Sequence, residues 1–206
     1  GIPHIEAPTD ADAVFGMMYA QAEDDFPRIE RNFLFSQGRL GEAFGPDYRW
    51  IDLRMKLFID PEEMKQEYDQ SPPWLQALMD AWADGLNYYL ATHPDAEVKV
   101  LTRFEPWMAL SFSEGSIGGD IERVRPDALA AFYENQPLSQ WDQGTGARSA
   151  IRAVASQGEA LGLPSASVGS NGFAISPLKS ESGNALLLIN PHTSFFFRSE
   201  VHVSSD

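Results

Sequence analysis

Residues 165–176 read "SASVGSNGFAIS", a run of small residues that turns at Gly169-Ser170-Asn171 into an alternating apolar segment. The step can join two strands as a flexible linker, or it can hold a serine that becomes a chain terminus. Its neighbours on both sides bear on the choice. Upstream, "GTGARSAIRAVASQGEALGLPSASVG" at 144–169 is rich in Gly, Ala and Ser, lacks aromatic residues, and has little to bury, so it reads as a spacer. Downstream, "GFAIS", the turn "KSESGN" and "ALLLIN" predict a hairpin, and "SFFFRSEVHVSS" predicts one more strand.

Before the spacer the pattern is helical. "IPHIEA" reads as a short strand, and Thr9 is the expected N-cap of a helix beginning near Asp10, where Asp10 and Asp12 suit the positive end of the dipole. Pro27 removes a backbone donor, which predicts a kink or restart and so two helical pieces. "PPWLQALMDAWADGLNYYLATHP" starts with proline where a helix tolerates it and sets Leu75, Leu78, Met79, Trp82 and Leu86 on one face. That helix is expected to end before His93-Pro94, and "RPDALAAFYENQ" gives another near 125–136. The chain thus divides into a mostly helical region at 1–143, a spacer at 144–169, and the start of a sheet region at 170–206.

Composition narrows the function. With 43% hydrophobic residues among 206 the chain can build a core, and its formal charge of −15 repels nucleic acid and anionic lipid alike. Cysteine is absent, so disulfides, thiol catalysis and cysteine-ligated zinc are excluded. No run reaches the roughly 18 apolar residues of a membrane span. The chain opens on strand-like sequence without a charged n-region or apolar h-region, so an upstream segment is expected to have been removed.

Three blocks carry a family resemblance: "GIPHIEAPTDADAVFGMMYAQAEDDFPRIERNFLFSQGRLGEAFG" at 1–45, "ALMDAWADGLNYYL" at 77–90, and "GSNGFAIS" with "GNALLLINPH" within 169–192. They resemble the penicillin acylase group of N-terminal nucleophile hydrolases, which includes penicillin, cephalosporin and acyl-homoserine lactone acylases. The resemblance implies an α+β fold, an αββα sandwich of which this chain supplies the helical part and the first strands. It implies autoproteolysis between Gly169 and Ser170, loss of the spacer, and Ser170 as catalytic nucleophile. The chemistry is coherent, because a terminal α-amine of pKa about 7.7–8.0 can take the serine proton at neutral pH. A glycine at 169 permits the strained backbone that attack on its own carbonyl requires.

His192 comes after Ser170 within the same block, and the resemblance to the cephalosporin and homoserine lactone acylases gives it a place beside the nucleophile, where penicillin G acylases carry glutamine. Thr193 and Phe196 fall where the family builds part of its acyl pocket, although Phe196 in a run of three phenylalanines also suits plain strand burial. Some members bind structural calcium through a carboxylate of the helical part, and aligning "GDIE" puts Asp120 there. No cofactor is required for the chemistry. The family's oxyanion groups lie well downstream of the histidine, beyond these 206 residues. Partners implied are a small amide substrate and the remainder of the chain's own sheet region, with periplasmic or secreted location in bacteria.

Other residues receive plainer readings. His4 is expected to satisfy a hydrogen bond inside the fold, His93 to mark a helix end, and His202 to sit in a strand with no second histidine at a metal-binding spacing. Asp84 and Asn87 are read as helix packing or hydrogen bonding. Glu23, Asp24 and Asp25 are read as a solvated helix face. The function expected of the processed protein is hydrolysis of a linear acyl amide, such as an acyl-homoserine lactone or a β-lactam side chain. The alternatives are an inactive fragment, an unprocessed precursor portion, or a non-catalytic acidic binding module. With Ser170 still joined to the spacer, low amidase activity is expected of this form.

Overall fold

A computed structural model describes residues 1–111, 124–134, 170–191 and 201–206. The described residues of Gly1–Ile151 and Ser199–Asp206 form one compact unit, and those of Arg152–Arg198 form a second.

The first unit begins with strand β1 (His4–Ala7) and helix α1 (Asp10–Ser36). Thr9 caps α1 as its sequence predicts: its Oγ1 accepts the Asp12 N–H at 3.1 Å. The two predicted helical pieces are also found, but the break falls at Asp25 (φ −160°, ψ 66°), two residues before the proline. There the Asp25 carboxylate accepts the Arg28 N–H at 3.2 Å and the Arg28 Nε–H at 2.8 Å. Asp25 is therefore a cap for the second piece, and Pro27 sits in a first turn where no donor is missed. Glu23 and Asp24 are exposed, as a solvated face requires, while Asp25 is half-buried and structural.

Short helices α2 (Leu40–Phe44) and α3 (Arg49–Lys56) come next. The start of α2 has no cap of its own, and Asp52 on α3 supplies one by accepting the Leu40 and Gly41 N–H groups at 2.9 and 2.7 Å. Burial pushes the Asp52 carboxyl above the usual aspartate range, against the pull of these two bonds. Helix α4 (Pro61–Gln70) buries no residue, whereas α5 (Pro73–Thr92) packs along α1. The crossing is close because residue 85 is glycine: a Cβ there would stand 2.5 Å from the Phe15 carbonyl oxygen.

After α5 the chain returns over the helices and is fixed by two side chains. Glu30 is 2% exposed, and its carboxylate accepts the N–H groups of Lys99, Val100 and Leu101 at 3.0, 2.7 and 2.8 Å. Asn87 clamps Phe104 by donating to its carbonyl and accepting from its N–H, both at 2.8 Å. Phe104 then meets Phe26, Phe33 and Trp82 with ring centroids 6.1, 6.0 and 5.8 Å away, which makes it the hub of the core. Helix α6 (Pro126–Tyr133) lies against α3.

The second unit contains β2 (Ser170–Ile175) and β3 (Leu186–Pro191), an antiparallel pair. Their connection passes through a turn at Pro177–Lys179 and a left-handed Gly183 (φ 71°). The last strand, β4 (His202–Ser205), pairs with β1 in parallel and belongs to the first unit.

Candidate active site

Ser170 is the first residue of β2, and the ladder sets Ser170 opposite Pro191, Asn171 opposite Asn190 and Gly172 opposite Ile189. Opposed Cα atoms in such a ladder stand about 5 Å apart. Ser170 therefore stands at the end of the hairpin where β3 finishes at Pro191, and His192 is the next residue in the sequence. The local sequence accounts for this arrangement. Phe173, Ile175 and the run Leu186–Ile189 favour extended backbone, and the Ser-Glu-Ser-Gly-Asn segment between them supplies turn residues. Ser182 Oγ accepts the Asn184 N–H at 3.3 Å within that turn.

Gly169, His192, Thr193, Phe196 and Asp120 lie outside the described residues, as does the spacer at 144–168. Among the described residues no three His, Asp or Glu side chains converge as a metal site. Among them, too, no helix is long and apolar enough to cross a membrane.

The other flagged residues are placed clearly. His93 is the C-cap of α5, its ring stacked on Tyr89 with centroids 4.3 Å apart, as a helix end predicts. Asn87 is a hydrogen-bonding residue, and Asp84 is exposed on the same helix. His202 lies in strand β4, as its sequence predicts, whereas the reading of His4 as a residue bonded inside the fold needs correction. Both are exposed, and they are partners: β1 and β4 set them directly opposite, with rings stacked 4.5 Å apart and parallel to within 1°. Parallel pairing between the two ends of this sequence leaves no local spacing to read. Glu30 and Asp52 had no role on sequence grounds, because a buried carboxylate bound to backbone N–H groups looks the same in sequence as a solvated one.

A strand that opens on serine, paired with one that ends just before a histidine in the sequence, succeeds a helical region built on α1 and α5. The chain belongs to the penicillin amidase family, whose model matches residues 1–204. It is similar to the acyl-homoserine lactone acylase QuiP of Pseudomonas aeruginosa PAO1, at 28% identity over 93% of this chain and 26% of the relative. The acyl-homoserine lactone acylase PvdQ of Pseudomonas fluorescens Pf0-1 is 23% identical over 93% of this chain and 26% of the relative. The QuiP protein of Pseudomonas putida KT2440 is 32% identical over 46% of this chain and 12% of the relative. This chain therefore spans about a quarter of the length of the relatives it matches across its extent.

Proposed function

We propose that this chain is the leading part of an acylase precursor in which Ser170 becomes an N-terminal nucleophile after cleavage of the Gly169–Ser170 bond. The observation that carries the reading is the hairpin register, with Ser170 opposite Pro191 and His192 next in sequence, in a chain of this family. In the processed enzyme Ser170 Oγ attacks the carbonyl carbon of a linear acyl amide while its proton passes to the Ser170 α-amine. That proton is delivered to the departing nitrogen as the amide C–N bond breaks, leaving an acyl ester on Ser170. Water then cleaves the ester, releasing the carboxylic acid and restoring the hydroxyl. His192 is the orienting or proton-assisting partner, Thr193 and Phe196 border the acyl group, and Asp120 is the carboxylate offered to a structural calcium ion.

The relatives named as acyl-homoserine lactone acylases favour an acyl-homoserine lactone as the amide, with a β-lactam side chain as the alternative. Action in the periplasm or outside the cell fits both. Complete activity requires more chain than residues 1–206. The hairpin supports this requirement, since Phe173, Leu187 and Ile189 are 65, 71 and 68% exposed and call for a covering layer. The chain by itself is thus the inactive or unprocessed form.

The test is the intact mass and N-terminal sequence of the purified chain beside a Ser170→Ala variant, repeated with the downstream region supplied. A terminus reading Ser-Asn-Gly-Phe, absent from the variant, is the expected result in the longer protein. An uncut chain in both settings overturns the assignment of Ser170.

A further inference from the structure

We propose that His4 and His202 together bind a divalent transition-metal ion, zinc above all, through one ring nitrogen each. The site owes nothing to the reading of Ser170 and belongs to the uncut chain. No ligand spacing marks it in the sequence, because the two histidines stand near opposite ends of the chain and meet across the parallel ladder. Strand alternation puts the pair on the solvent side. Ile5 faces α1, where a Cβ on Gly16 would stand 2.9 Å from its Cγ2, and the Ser205 hydroxyl donates to Asp10 in the first turn of the same helix. His4 and Glu6 point the other way, with His202 and Ser204 opposite them in register, and all four are exposed.

Among the described residues neither imidazole makes a hydrogen bond, so both rings keep their nitrogens for a ligand. His93 differs in this respect, since its Nδ1 lies 3.0 Å from the Tyr89 carbonyl and 3.1 Å from Thr92 Oγ1. A tetrahedral zinc ion with Zn–N bonds of about 2.0–2.1 Å needs its two nitrogens about 3.3 Å apart. Ring centres at 4.5 Å allow that spacing once the ring edges on one side tilt together, a small torsional change for exposed side chains. Imidazole suits zinc, copper and nickel, whereas calcium and magnesium take oxygen ligands. The formal charge of −15, with Glu6 on the same face, favours a cation there. No third His, Asp or Glu converges on the pair among the described residues, so this is a two-ligand site completed by water and weaker than a closed four-ligand one.

The test titrates zinc chloride by calorimetry into a His192→Gln chain, which removes the remaining histidine. Excess calcium is present to fill carboxylate sites while leaving imidazoles open. One zinc ion per chain is expected. Because the ligands come from distant parts of the sequence, the unfolded chain offers no such pair, and zinc is expected to raise the thermal midpoint. His4→Phe and His202→Phe each keep a ring in the stack and remove its nitrogens. Each is expected to weaken zinc binding by about a hundredfold and to remove the shift in midpoint, with the zinc-free circular dichroism unchanged. His93→Gln is expected to bind zinc like the parent. A chain that takes no zinc overturns the site, as does zinc affinity that survives both phenylalanine substitutions. A second measurement needs no variant at His4 or His202: zinc is expected to protect both from carbethoxylation, read by peptide mass. Reactivity unchanged by zinc at both histidines overturns the site as well.

Discussion

Asn87 positions the core through the backbone of another residue. Its amide meets both polar groups of Phe104, a residue with no exposed surface, so truncation leaves a buried N–H and a buried carbonyl unpaired. Asn87→Ala is expected to destabilise the helical unit by roughly 2–4 kcal/mol, measured by urea unfolding. Tyr68 illustrates a weaker bond that can be tracked by pH. Its hydroxyl donates to Asp80 at 2.6 Å, and that carboxylate pushes the phenol up to about 12. The folded state therefore holds the proton more tightly than the unfolded state, whose tyrosine ionises near pH 10. The contribution is complete below pH 10 and is lost as pH rises through about 12. Tyr68→Phe is expected to cost about 1 kcal/mol near neutral pH, discounted for partial exposure, with the difference closing over that alkaline window. Unfolding at neutral and alkaline pH, with tyrosinate absorbance as the titration signal, checks both parts.

The helices show which sequence signals translate into structure. α1 and α5 were legible because caps, prolines and a 3.6-residue apolar pattern agree, and even the break near Pro27 could be anticipated. Its position at Asp25 depends on a carboxylate finding the Arg28 N–H, a choice that proline alone does not dictate. Helix α4 has no fully buried residue and was missed in the sequence, although Asp60, Pro61, Glu62 and Glu63 make a helix start there, with Asp60 accepting the Glu62 N–H at 2.9 Å. Capping signals therefore carried information that periodicity did not. The hairpin around Ser170 was legible from its turn and its strands, whereas the partner of β4 was not, because a parallel pair needs no turn between its strands. The α1–α5 crossing provides the prediction at this scale. Gly85→Ala drives a Cβ into the Phe15 carbonyl, and the backbone cannot yield as a flexible side chain would. A loss of about 1–3 kcal/mol with helix content retained is expected, read by thermal unfolding monitored by circular dichroism.

Across the whole molecule, charge and apolar surface are distributed unequally, and this inequality governs how the chain behaves in solution. The formal charge of −15 belongs to the sequence outside the hairpin, because residues 170–191 carry one cation, Lys179, and one anion, Glu181. The hairpin is thus a neutral ribbon, with Phe173, Ile175, Leu186 and Leu188 at positions on one face and Leu187 and Ile189 on the other, all exposed. Repulsion between chains acts over a Debye length of about 10 Å at 0.1 M salt and shrinks to about 3 Å at 1 M, while apolar contact is not screened. Self-association through the hairpin is therefore expected to strengthen as salt rises, the opposite of an assembly held by ion pairs. Sedimentation velocity at low and high salt measures it. Replacing Leu187 and Ile189 together by lysine places two charges on one face of the ribbon and is expected to abolish the association at every salt concentration. A variant that associates as the parent does would place the contact elsewhere on the chain.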